Sequence, residues 1–214
     1  MLMTIGGVIV AAVLMAIALY TRKHWLLKFT LGGVTVWFAF YAVMLIGFSL
    51  ASTEKTLALN EPKQYCGFYL DCHMHTAVTG VKTAKSLGGS TANGQFYIVT
   101  VKVFSDARRA TLGLLTVDAH VVDVANKEYA RDTMAEDQLP PQPPFEKKVS
   151  PTESFEKQIV FDLPSDIKSP RLDMREGYGI DHAIEAVLVD DEDSILHKRN
   201  LFELREQNDN ASVK

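Results

Sequence analysis

The chain has 214 residues, with 22 basic and 26 acidic side chains and a net charge of −4. Residues 1–53 hold three of the basic side chains and none of the acidic ones, which leaves 19 basic against 26 acidic groups, about −7, on everything that follows. That surplus of acid excludes nucleic acid and anionic headgroups as ligands of the later part, which at about 160 residues is long enough for one domain with a real core.

Two charge-free apolar runs, Met1 to Thr21 and Phe29 to Thr53, open the chain. A helix rises about 1.5 Å per residue, so roughly 20 apolar residues span a hydrocarbon core. The expectation is a transmembrane helical hairpin over residues 1–53, with helices at about 2–21 and 29–52. Gly6, Gly7, Ala11, Ala12, Gly32, Gly33 and Gly47 are expected to let the two helices approach closely. Tyr20 and Trp25 sit where an interfacial belt belongs, and Trp37 deeper. The loop between the runs carries Arg22, Lys23 and Lys28. The positive-inside rule places that loop in the cytoplasm and the large domain outside, on a multi-pass anchor. A cleaved signal peptide ending near Ala16-Ile17-Ala18 is the competing reading; no positive n-region precedes the apolar run.

Residues 54–64 read as a linker. From Phe68 to Val78 the apolar residues alternate, with Phe68, Leu70, Cys72, Met74, Thr76 and Val78 on one parity and Tyr69, Asp71, His73 and His75 on the other, a half-buried strand. Gly88 to Gly94 reads as a turn or loop, and Gln95 to Phe104 as a second strand. Leu112 to Val124 holds one or two strands, with a hairpin turn at Asn126-Lys127 into Glu128-Tyr129-Ala130. Leu139 to Pro151 contains five prolines and is no central strand. Phe155 to Leu163 alternates again. Ser165 to Tyr178 reads as loop, Ala183 to Val189 as strand, Asp190 to Asp193 as a solvated turn, and Leu201 to Leu204 as the closing strand. Residues 207–214 form a polar tail expected to be disordered. Six to eight short strands and no convincing soluble amphipathic helix predict an antiparallel β-sandwich over residues 65–206.

Three stretches carry a family resemblance. They are Tyr65 to His73 (YCGFYLDCH), Gly94 to Val103 (GQFYIVTVKV), and Pro151 to Phe155 leading into Ile159 to Pro164. Together they resemble bacterial membrane-anchored or secreted proteins of the uncharacterised DUF4352 type. The resemblance implies a membrane-anchored all-β protein with an immunoglobulin-like sandwich outside the cytoplasm, and implies no catalytic residues.

Chemistry is densest from Cys66 to His75. Cys66 and Cys72 are candidates for a disulfide in an oxidising compartment. On one straight strand their Cα atoms would lie about 20 Å apart, and a disulfide needs under about 7 Å, so pairing requires a turn, with Gly67 the natural place. His73 and His75 share one strand face with Asp71, and His120 lies on another predicted strand; this set could hold Zn or Cu. With no third ligand fixed by spacing, the same histidines read more readily as surface residues of a polar sheet face. Cys66-x5-Cys72-His73 lacks the C-x-x-C-H spacing of haem attachment. Asp190 to Asp193 lacks the alternating ligands and central glycine of an EF-hand. Arg108-Arg109 could grip a carboxylate, though such pairs are commonly solvated. Neither Ser154 nor Ser194 sits in a nucleophile elbow, and no phosphate-binding glycine loop occurs. The function expected is therefore non-enzymatic. It is a membrane-tethered extracytoplasmic module in contact with the lipid bilayer and with protein partners, an accessory or structural subunit of a larger membrane complex, with no nucleic acid and no resident cofactor. The alternative is a metal-binding or redox protein centred on Asp71, His73 and His75.

Overall fold

The computed structural model describes residues 2–66, 72–177 and 183–206. The chain divides into two units, residues 1–53 with 183–198, and residues 54–182 with 199–214.

The first unit begins with helices α1 (Leu2–Tyr20) and α2 (His24–Ala51), joined by a short turn in which Arg22 adopts φ 53°. Uninterrupted apolar residues favour helix here because every backbone polar group is satisfied within the segment. The threonines conform: Thr21, Thr30 and Thr35 donate their hydroxyls to the carbonyls of Ile17, Leu26 and Leu31 at 2.7–2.9 Å. α2 is long and apolar enough to cross a membrane, and only 6% of its most apolar window is buried within the protein. α1 is apolar from Gly6 to Tyr20 but shorter. Among the described residues one N-terminal span, an anchor or a signal sequence by length and composition, therefore stands where two were expected. The glycines do not mark a close helix approach either. A Cβ built on Gly6, Gly7, Gly32, Gly33 or Gly47 meets nothing within 4 Å.

Residues 183–198 complete this unit, and they are not the expected strand. Ala183 onward forms helical and reverse turns, with Val187 N–H bonded to Ile184 O and Leu188 N–H to Glu185 O. The run Ala-Ile-Glu-Ala is as compatible with a helical turn as with a strand, and short apolar stretches do not discriminate. Asp190 and Leu196 then take left-handed φ values of 64° and 65°. The segment lies along α2. Tyr41 donates its hydroxyl to Val187 O, Ser49 and Ser194 hydroxyls meet at 3.3 Å, and Lys198 N–H donates to Ser52 Oγ at 2.9 Å.

The second unit is a two-sheet β-sandwich. Its strands are β1 (Lys55–Leu57), β2 (Lys63–Tyr65), β3 (Met74–Leu87), β4 (Ser90–Ser105), β5 (Val117–Val122), β6 (Glu128–Ala130), β7 (Ser154–Leu163), β8 (Arg171–Glu176) and β9 (Asn200–Glu203). One sheet runs β1-β9-β8-β5-β6 and the other β2-β3-β4-β7. The β1–β9 pair is parallel and the others antiparallel, so the antiparallel expectation needs that one correction. Val78, Val81, Val99, Val101, Ile159 and Phe161 of the second sheet face Ala119, Val121, Leu172, Met174 and Phe202 of the first, forming one fully buried core.

The sandwich starts earlier than residue 65, because the stretch read as a linker supplies β1 and β2. The loop expected at Gly88 to Gly94 is only a two-residue turn, Gly88-Gly89, with Gly88 at φ 56°; Thr91 to Gly94 continue β4. The stretch read as loop after Ser165 contains β8, and a single helical turn α3 (Thr133–Glu136), capped by Asp132, precedes the proline-rich segment. Phe68 to Asp71 and the tail 207–214 lie outside the described residues.

Candidate functional site

β2 and β3 pair antiparallel with Tyr65 opposite Met74. The chain therefore reverses between them, which removes the straight-strand objection to cysteine pairing. Cys66 and Cys72 are bonded through sulfur in the structure, with Cα atoms 3.9 Å apart. Gln64 donates its side-chain amide to Cys72 O beside the bridge. Closing so small a loop removes little unfolded-state entropy, so Cys66→Ser/Cys72→Ser is expected to lower sandwich stability by about 2 kcal/mol; paired denaturation curves of the oxidised chain and the variant check this.

β3 and β4 then set the histidines. Their register places Met74 opposite Ser105 and His75 opposite Phe104. The His75 ring stacks on Phe104 with centroids 5.2 Å apart. The same register brings Asp106, just beyond β4, beside His73, and Asp106 N–H donates to His73 O at 3.1 Å. The Asp106 carboxylate lies between the two imidazoles, Oδ1 at 2.6 Å from His73 Nδ1 and Oδ2 at 3.4 Å from His75 Nε2. His75 is largely covered, while His73 and Asp106 are exposed.

The hydrogen bond from His73, aided by the positive charge available on both rings, holds the Asp106 carboxyl below the usual carboxylate range. Its contribution is thus present above the unfolded carboxylate value, near about 3.9, and fades as pH falls through the lower folded value. His73→Ala should remove this dependence, raising the Asp106 pKa toward its free value in a titration followed by carboxyl NMR shifts.

The residues read as metal candidates are only partly assembled. His73 and His75 converge on Asp106, a partner the sequence reading did not name. Asp71 lies outside the described residues. His120 belongs to the other sheet, on β5, where its Nε2 sits 3.5 Å from both Asp173 Oδ2 and Glu128 Oε1. Among the described residues, no three His, Cys, Asp or Glu side chains are grouped to hold a metal ion. Asp173, on β8 opposite His120, is almost wholly buried and accepts from Arg175 at 2.8 Å, with Arg199 at 3.4 Å. It too went unread, although Leu172 and Met174 pointing inward would have placed it outward. Arg108 and Arg109 are exposed. In the acidic run, burial foremost raises the Asp191 carboxyl pKa, and its side chain accepts from Asp193 N–H at 3.0 Å. That geometry is a turn.

No family model matches the chain, and no curated protein does. The DUF4352-type resemblance therefore stands without a family match. Two solved structures are loosely similar. One is MPT63, a secreted protein from Mycobacterium tuberculosis, at 13% identity and TM-score 0.41, covering 60% of this chain and 93% of its own. The other is an uncharacterised β-sandwich protein from Clostridium difficile 630, at 11% identity and TM-score 0.36, covering 72% and 97%. Neither overlay is close enough to carry a conclusion, and the sandwich assignment rests on the two sheets and their shared core.

Proposed function

We propose that the chain is a non-enzymatic interaction module: an immunoglobulin-like sandwich tethered on the extracytoplasmic face of a bacterial inner membrane by α2, serving as an accessory or structural subunit of a larger membrane protein complex. The observation that carries the reading is the exposure of α2. Val36, Phe38, Phe40, Val43 and Ile46 are all exposed on a helix long enough to span a bilayer. Water does not favour such a surface, and lipid or another membrane helix does. Arg22, Lys23 and Lys28 at the start of α2 support a cytoplasmic end there, hence a crossing by α2 and an outward sandwich. The bond between Cys66 and Cys72 fits an oxidising compartment. Two carboxylates of the sandwich are spent on its own backbone and turns. Asp162 accepts from Asn93 N, Asn93 Nδ2 and Gly94 N, and Asp123 from Ala125 N, Lys127 N and Tyr129 Oη.

Solubilisation of native membranes in mild detergent tests the role. The chain should migrate as part of a larger particle with stoichiometric partners, and a partner-free monomer would refute it. A second reading has one observation in its favour, the convergence of His73 and His75 on Asp106. It makes this corner a Zn or Cu site. Metal analysis of the purified chain, with His73→Ala/His75→Ala alongside, decides it; equal metal content in both dismisses it.

A further inference from the structure

Beyond α1 and α2, five large apolar side chains are exposed among the described residues, and three of them, Val187, Ile195 and Leu196, crowd into the single segment 183–198. That segment is fastened to α2 at three levels. Tyr41 holds Val187 O, Ser49 meets Ser194, and Ser52 receives Lys198 N–H. Leu45, Ser49 and Ser194 are buried in this unit. Positions 41, 45, 49 and 52 recur at helical spacing, so the segment follows one face of the last three turns of α2.

The depth of that face follows from helix geometry. α2 has 28 residues, about 42 Å at 1.5 Å each, against a hydrocarbon core of about 30 Å. With Trp25 in one interfacial belt, about 20 residues further along the core ends near Leu45. Tyr41 then lies about one helical turn inside that edge, within reach of the opposite interface where tyrosines are favoured, and the last turns of α2 rise through the headgroups. The segment bound to those turns lies at the same depth. Its acidic residues Asp190 to Asp193 make anionic headgroups the less favourable neighbour.

Resting on the membrane-tether reading above, we infer that residues 183–198 form an interfacial wedge whose Val187, Ile195 and Leu196 side chains enter the outer headgroup–acyl boundary of a zwitterionic bilayer. The wedge uses lipid contact to fix the height and tilt at which α2 leaves the membrane. Interfacial insertion of this kind draws on a small apolar surface beside polar residues that stay hydrated.

The test places a nitroxide at Leu196→Cys, and separately at Ile195→Cys in case the left-handed backbone at Leu196 resists replacement. The full chain is reconstituted in phosphatidylcholine vesicles with the Cys66–Cys72 bond intact, and unsubstituted chain serves as the labelling blank. Labels at Phe38→Cys in α2 and Val124→Cys on the sandwich give the lipid and water references. Collision with oxygen, relative to collision with a water-soluble nickel chelate, should be several-fold higher at 195 and 196 than at 124, and below that at 38. Values at 195 and 196 equal to that at 124, with 38 in lipid, overturn the wedge and leave the tether standing. A water-exposed label at 38 overturns both.

Discussion

Gly94→Ala should destabilise the sandwich by at least about 3 kcal/mol, the upper range for forcing extra volume into a packed site, or roughly 10 °C in melting temperature for a domain of this size. A Cβ on Gly94 would lie 2.0 Å from Leu163 O, 2.7 Å from Leu163 C and 2.9 Å from Pro164 Cα. All three are backbone atoms at the end of β7, so no side-chain rotation relieves the clash. The approach is needed because the Asp162 carboxylate draws in the amides of Asn93 and Gly94 at 2.8 and 2.9 Å, tying the start of β4 to the end of β7. Thermal unfolding followed by circular dichroism reads the effect. An unchanged midpoint would mean that the two strands do not meet as described.

The second large effect concerns α2. Val36→Asp/Phe40→Asp places two carboxylates on one exposed face of the helix, each costing about 2.5–3.5 kcal/mol near the centre of a span. The fraction of protein resisting alkaline carbonate extraction should drop by an order of magnitude or more. Val124→Asp, equally exposed but on the sandwich, should leave that fraction unchanged. If the double variant still pellets, α2 does not lie in lipid.

What could be read directly from the chain follows physical lines. β4 and β7 were legible because their β-branched and aromatic residues hold period two along paired, half-buried strands. β3 was legible only as far as Val78, where a bulge before Gly80 shifts the register and Val81 turns inward instead of the next residue in phase. β8 escaped because Arg171, Asp173 and Arg175 alternate with just two apolar residues, and its place in the sheet comes from pairing with β5 and β9. β1 and β2 are three residues each, too short to show a period, and owe their conformation to their partners, β9 at the far end of the domain and the start of β3. Ala183 to Val189 was misread because apolar content without length does not separate strand from turn.

The corner at Cys66 to His75 was legible as residue types, and the need for a turn between the cysteines followed from strand length alone. Asp106 was not legible. It lies 33 residues from His73, and only the β3–β4 register makes them neighbours. Period-two patterns report which face a residue takes, whereas side-chain partners across a sheet depend on pairing that no local window contains.

The proposed tether holds the sandwich outside the cytoplasm, with the basic residues at the start of α2 inside. Amine labelling of intact spheroplasts with a membrane-impermeant reagent, followed by peptide mapping, tests it most directly. Sandwich lysines such as Lys82, Lys85 and Lys127 should be modified in intact cells, with Lys23 and Lys28 modified only after lysis. Sandwich lysines that stay unmodified until lysis would contradict it.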